Sequence, residues 1–321
     1  MSEVDQATVR TARRRVVDLL RAGFLVLVLL AVGIALWTNW EAVRSDLGRL
    51  GPVSLAAAAL LALCSPFLTV LGWRVLLDDL GSRLHIAAAS SVFFVGQLGK
   101  YLPGSVWSVV VQTEMAARLG VPRHRTAVGG LLCIGLSAVT GMIAGLPALP
   151  ALLTHGQAAL PWWSVLLMVV VLLPLLWPPL LNLGIRQALR VLRRPPLDHD
   201  LGPAAVTLSS AWFTASWLVG GMSVWVLAKD LAPEGADPAR LLLVAVSGYL
   251  LATGIGTFSV VVPAGIGVRD GIMVLLLATQ LSVSAAAAVV VVARFLTVLG
   301  DVVWAATGWL WGRSHDLLPE P

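Results

Sequence analysis

The sequence predicts an all-α polytopic membrane protein with six spans and two re-entrant broken-helix hairpins, arranged as an inverted repeat. Three observations carry that prediction. The 321 residues are 58% hydrophobic and only 12% charged, about half the charged share of a soluble domain. The basic residues gather in short loops between apolar runs. That is the positive-inside pattern, and it sets nucleic-acid binding aside despite a net charge of +5. Two apolar stretches lying about half the chain apart, Ile86 to Ala117 and Gly256 to Gly271, are each interrupted by Pro and Gly.

Residues 1–21 form a basic head with Arg10, Arg13, Arg14, Arg15 and Arg21. The apolar run Ala22 to Trp37 ends without a small-residue cleavage site, so it reads as an uncleaved first span with a cytoplasmic N-terminus. Trp37 and Trp40 mark the far interface. The second span, Val53 to Trp73, returns to a cytoplasmic segment holding Arg74, Asp78, Asp79 and Arg83.

The first hairpin has GKYLPGSVW at its centre, Gly99 to Trp107. Pro103 lacks an amide and Gly104 loosens the backbone, so the helical ladder breaks there. Each arm then holds about 14 residues, roughly 21 Å of helix, against a bilayer core of about 30 Å. Neither arm spans alone. A broken tip at membrane depth must be buried in protein or line a cavity.

Span three, Thr126 to Leu149, carries Gly141 and Gly145 at the GxxxG spacing of close helix packing. The outer loop, Pro150 to Pro161, has no Lys or Arg, and span four, Trp162 to Leu183, returns to Arg186, Arg190, Arg193 and Arg194. Span five is Ala204 to Ala228. The second hairpin descends from Leu241 to Val262, breaks at Pro263 with Gly265 and Gly267 following, and climbs back to Gln280. The last span, Ser284 to Trp311, ends at Arg313 on the cytoplasmic side, with 313–321 as a tail.

The order is span, span, hairpin, span, given twice within one integral membrane domain, 22–312, whose halves are 22–149 and 162–312. Each half crosses an odd number of times, so the second is inverted relative to the first. Pro103 and Pro263 stand 160 positions apart, and Thr126 and Ser284 158, which supports duplication. Inverted repeats with broken helices meeting at the midplane are a transporter signature. The alternative topology makes each hairpin arm a short span, for about eight crossings. No soluble domain is expected, because no polar segment is long enough to fold alone.

The chemistry gathers near the breaks. Lys100 precedes Pro103; Arg269 and Asp270 follow Pro263; Arg294 and Asp301 share a face of the last span, with Thr297 between them. Charges inside spans are costly and face an interior or an aqueous path. On the bland reading, Arg294 and Asp301 neutralise one another. On the functional reading, half-helices starting after the breaks turn positive dipole ends into the membrane, beside Lys100 and Arg269, and form a site for an anionic lipid phosphate. Gln97, Tyr101, Thr257 and Ser259 would add neutral hydrogen bonds. Glu114 falls late in the first hairpin.

Enzyme motifs are missing. GQLGK (Gly96 to Lys100) lacks the P-loop spacing, the five histidines are scattered, and no nucleophile–base pair stands out. Cys64 and Cys133 read as buried hydrophobes. No metal, no cofactor and no catalytic residue is therefore expected.

FVGQLGKYLPGSVW in the first half and VVPAGIGVRDG in the second resemble the flippase-like transmembrane family of lysylphosphatidylglycerol synthases, over nearly the whole chain. The second motif is similar to the family's Pro-Gly-Gly-x-Gly-x-Arg-Glu. Pro263, Gly265, Gly267 and Arg269 match, Ala264 replaces a Gly, and Asp270 stands for the Glu. In the first motif Ser-Val-Trp replaces the family's Gly-Glu, so no acidic role carries over to that hairpin. The resemblance implies lipid handling without aminoacyl transfer.

The expectation is a lipid translocase of the cytoplasmic (inner) membrane, with both termini in the cytoplasm. It would move a phospholipid or polyprenyl-phosphate-linked lipid whose anionic headgroup meets Lys100, Tyr101, Gln97, Arg269, Asp270, Arg294 and Asp301. A lipid-modifying enzyme is a candidate partner, and the sequence leaves the oligomeric state open. The alternatives are a membrane-embedded transferase or its accessory subunit, and a small-solute or ion carrier.

Overall fold

The computed structural model describes residues 40–101, 106–150, 163–257 and 267–315. The basic head, the first span, the break residues Pro103, Gly104, Pro263 and Gly265, and Ser259 lie outside the described residues, as do most of the outer loop and of the tail.

Every described element is a helix or a turn between helices. A short helix α1 (Trp40–Gly48) leads into α2 (Pro52–Asp79), then α3 (Ile86–Gln97), extended by a 3-10 turn, Leu98–Tyr101. After the first break come α4 (Trp107–Arg118) and α5 (Arg123–Gly145). The second half holds α6 (Trp163–Leu172), α7 (Pro178–Val191), α8 (Pro203–Ala228), α9 (Pro238–Thr257), α10 (Val268–Leu277) and α11 (Val283–Ser314). Among the described residues five helices are long and apolar enough to cross a membrane, and a sixth crossing follows if one bent pair counts as a span. The chain is an all-α, multi-pass integral membrane protein.

Local chemistry sets the helix starts. Pro52, Pro203 and Pro238 each stand first in their helices, where the missing amide costs nothing. Ser282 caps α11, its Oγ accepting from the amide of Ala285 at 3.2 Å.

The two halves are inverted, and the packing shows it residue by residue. Helices α2 and α8 pack along their length. At their middle, Ser65 Oγ donates to the Ser216 carbonyl at 2.9 Å and Ser216 Oγ donates to the Ser65 carbonyl at 2.6 Å, across a sequence offset of 151. The ends repeat that exchange at the same offset. Gly202 N–H donates to Asp79 Oδ2 at 2.9 Å, and Gly51 N–H donates to Asp230 Oδ2 at 3.0 Å. Each helix start thus meets the other's end, so the equivalent helices are antiparallel. The rest of the packing follows the same exchange: α5 lies on α9, and its counterpart α11 lies on α3.

Both interrupted stretches fold back as hairpins. A Cβ on Gly99 would come within 2.5 Å of the Ser108 amide nitrogen, and one on Gly96 within 2.4 Å of Gln112, so α3 and α4 approach as only glycine allows. In the second hairpin Gly248 opposes Leu276 and Gly256 opposes Arg269, an antiparallel register for α9 and α10. The arms differ in length. Helices α3 and α4 have 12 residues each and α10 has 10, all too short for a bilayer core of about 30 Å. At 20 residues, α9 is long enough to cross one at about 1.5 Å per residue.

Span four departs from the sequence reading of one helix from Trp162 to Leu183. The chain bends by 65° between the α6 segment and α7. Pro174 and Pro178 remove two amides, and Trp177, as a residue before proline, takes an extended ψ of 119°. Beyond the bend, α7 turns Arg186 and Arg190 to solvent and buries Leu189. Cys64 also differs from expectation: it is exposed, whereas Cys133 is buried.

Candidate functional site

Where the two halves meet, the described residues enclose a cavity of about 240 Å³. Residues from both hairpins and from α2, α5, α8 and α11 line it. Of the predicted headgroup residues, Gln97, Lys100, Tyr101, Arg269, Arg294 and Asp301 all face it. So do Thr257 and Thr297, whose hydroxyls donate to their own helices, to Thr253 O at 2.9 Å and Ala293 O at 2.8 Å.

Asp301 is the best-held member. It lies in the middle of α11 at only 6% exposure. Lys100 Nζ reaches its Oδ2 at 2.7 Å, and the Tyr101 hydroxyl donates to the same oxygen at 2.5 Å. Both partners come from the 3-10 turn that ends the first arm of the first hairpin, 201 and 200 positions earlier. A buried carboxylate needs such partners, because its charge has lost its water. Asp301 therefore ties the last span to the opposite half instead of serving only to neutralise Arg294 in its own helix.

Arg269 lies in the first turn of α10, its guanidinium 5.5 Å from the centre of the Tyr249 ring, within reach of the ring's negative face. Its Nε is 3.8 Å from Asp270 Oδ1. Asp270 takes a different place from its neighbours: it adjoins a smaller pocket behind Arg269 and does not line the main cavity. Its Oδ2 accepts from the amide of Gly267 at 3.2 Å, capping α10. Gly267 sits at φ 85°, which favours glycine over any residue with a side chain. The cap occupies one of the amides that the sequence reading left open to an anion, so the arginines supply the remaining positive field at this end.

Glu114 stays away from the cavity. It pairs at the exposed base of the first hairpin with Arg123, at 2.9 Å. No group of three His, Cys, Asp or Glu among the described residues is placed to hold a metal ion.

Sequence reasoning missed Tyr249, Ser65, Ser216 and Gln112, all of which line the cavity. One signal was available for Tyr249. The chain has only two tyrosines, and both Tyr101 and Tyr249 sit at the cavity wall.

The fold and the cavity together define a polytopic helical membrane protein with a cation-rich polar site where two inverted halves meet. Residues 23–305 match the lysylphosphatidylglycerol synthase TM region, and the chain belongs to that family. The family connects it to lipid handling. No curated protein matches the chain.

Proposed function

We propose that this protein is a lipid translocase of the cytoplasmic membrane, with its described C-terminal end on the cytoplasmic side. It moves a phospholipid or polyprenyl-phosphate-linked lipid between leaflets. The anionic headgroup enters the cavity while the acyl or prenyl chains stay in the bilayer. The single observation that carries this reading is the convergence of Lys100, Arg269 and Arg294 on one cavity between the halves.

The volume of about 240 Å³ is below the roughly 300–1,000 Å³ usual for a drug-sized ligand, so it suits a headgroup and not a whole lipid. Cations held in a low-dielectric site attract a phosphate more strongly than they would in water. The inverted packing of α2 on α8 supplies two equivalent bodies that can rock against each other and expose the site to either side. Membrane lipids are then the main partners, and a lipid-modifying enzyme is a natural neighbour.

The test is leaflet exchange of labelled phospholipids in proteoliposomes, comparing wild type with Arg269→Ala. Exchange by the wild type that falls at least about tenfold in the variant, equivalent to roughly 1.4 kcal/mol, supports the reading. Equal exchange in both would remove Arg269 from the site. Exchange by neither, with phospholipid and polyprenyl-linked probes alike, would end the translocase reading.

A further inference from the structure

Helix α7 has a surface that the cavity does not use. At 14 residues it is about 21 Å long, too short to cross a bilayer core. The 65° bend turns it away from the line of the segment before it. Its residues divide by side at the helical period. Asn182 and Leu189 are buried against the protein, and Leu181 and Ile185 pack on the core of the first half. Leu180, Leu183 and Val191 stand on the other side, with Leu183 58% and Val191 74% exposed. Arg186 and Arg190 run along the edge of that apolar side, and Arg193 and Arg194 follow the last turn.

Carboxylates in the protein do not account for these arginines. Of the two acidic residues that follow the helix, Asp198 is held by Arg125, and Asp200 by Arg186 at 3.6 Å. Among the described residues Arg190, Arg193 and Arg194 pair with no carboxylate. The helix dipole does not account for them either. Its pull on a cation fades beyond the last turn, where Arg190 already stands. Arg193 also holds φ 52°, alone among the described residues that are not glycine. That place just after a helix is one that glycine fills without strain, yet the chain keeps an arginine there. The helix itself is pinned: Asn182 Nδ2 donates to the Leu201 carbonyl at 3.0 Å, and Leu201 N–H donates to Asn182 Oδ1 at 2.8 Å.

A pinned helix with an apolar side and a cationic edge fits the boundary between acyl chains and headgroups. We infer that α7, with Arg193 and Arg194, is a lipid-binding surface outside the cavity that holds the headgroups of anionic phospholipids in the adjoining leaflet. Leu180, Leu183 and Val191 enter the acyl region while Arg190, Arg193 and Arg194 meet the phosphates. A lipid leaflet answers both the apolar side and the charge. On the sidedness proposed above it is the cytoplasmic leaflet, whose anionic lipids attract basic segments. The surface works whether or not the cavity moves lipid.

The full-length protein in vesicles of phosphatidylcholine and phosphatidylglycerol tests this. In a Cys64→Ser background, Leu183→Cys carries a fluorophore, the remaining Cys133 being buried. A nitroxide on the upper acyl chain of one lipid or the other quenches it on contact. Both lipids should quench, with a relative association constant favouring phosphatidylglycerol by about fivefold or more, the factor for one arginine near an anionic surface. The preference should fall toward one in about 1 M salt, where the Debye length is about 3 Å. Combining Arg190→Gln, Arg193→Gln and Arg194→Gln should abolish it. Arg193→Gly, which relieves the turn and so keeps the helix end folded, should lose part of it.

No quenching by either lipid would mean that the face meets protein or water, and would overturn the proposal. Equal quenching by both lipids in the wild type, or a preference that survives the triple substitution, would overturn recognition by charge. A preference lost in Arg269→Gln and kept in the triple variant would assign the anionic lipid to the cavity instead.

Discussion

The paired ends of α2 and α8 give the sharpest test of the inverted architecture. Asp79 and Asp230 each accept the backbone amide of the residue that caps the start of the other's helix, at 2.9 and 3.0 Å. Gly51 and Gly202, which precede those helices, have no side chain to do the capping themselves. Each carboxylate is therefore a helix cap supplied from the opposite half. Replacing either Asp with Ala removes a cap worth about 1 kcal/mol. It also removes a favourable charge–dipole contact of about 0.3–1 kcal/mol. Each single variant should lose about 1–2 kcal/mol on these two contributions. The two sites lie at opposite ends of a 28-residue helix, about 42 Å apart at 1.5 Å per residue. Their costs should then add to within about 0.5 kcal/mol. Equilibrium unfolding by SDS titration in mixed micelles, followed by the fluorescence of the 13 tryptophans, measures all four species. One costly and one silent substitution would refute the equivalence of the two ends. A double variant no worse than either single would refute their independence.

The middle of the same helix pair should behave in the opposite way. Ser65→Ala and Ser216→Ala each remove one of two reciprocal hydrogen bonds. Each should cost about 1 kcal/mol, and their double-mutant cycle should show a coupling of about 0.5 kcal/mol or more, because both hydroxyls belong to one network. On α5, Gly145→Ala sets a Cβ 2.4 Å from the Leu251 amide nitrogen, whereas at Gly135 nothing lies within 4 Å. The backbone of α9 cannot swing aside as a side chain could, so Gly145→Ala should destabilise by about 1–3 kcal/mol. Gly135→Ala should gain up to about 1 kcal/mol from helix propensity. Equal effects in the same unfolding assay would mean that the GxxxG face does not hold α5 to α9.

Much of the frame was legible because it is written in local chemistry. Pro–Gly interruptions marked the hairpins, and the spacing of Gly141 and Gly145 marked the face that meets α9. The bend in span four was also visible, since Pro174 and Pro178 stand inside the run, but an apolar stretch of span length outweighed them. The register of the repeat was harder to see. The helix pair is offset by 151 and the hairpin prolines by 160, because the halves differ in the lengths of their connections. No local pattern could have joined Lys100 to Asp301 across 201 positions; that contact exists only once α11 lies on α3.

What the repeat does not copy bears on function. Shifted by the 158 or 160 positions that align the hairpins and last spans, Arg294 falls on Leu136, Asp301 on Ile143, Arg269 on Val109 and Lys100 on Val260. Each charged group at the cavity thus corresponds to an apolar residue in the other half. The packing itself shows that those positions can be filled by hydrocarbon: Leu136 is 1% exposed and sits in the core of the first half. Holding the two halves together does not require charge there. Replacing a buried ion pair with well-packed apolar side chains is often neutral or stabilising, so Lys100 and Asp301 are a costly way to join two elements that hydrophobic packing could join. The frame is symmetric and the charges are not. On the translocase proposal the asymmetry serves the ligand, and substitution at the arginines and Asp301 should then change lipid binding before it changes the fold.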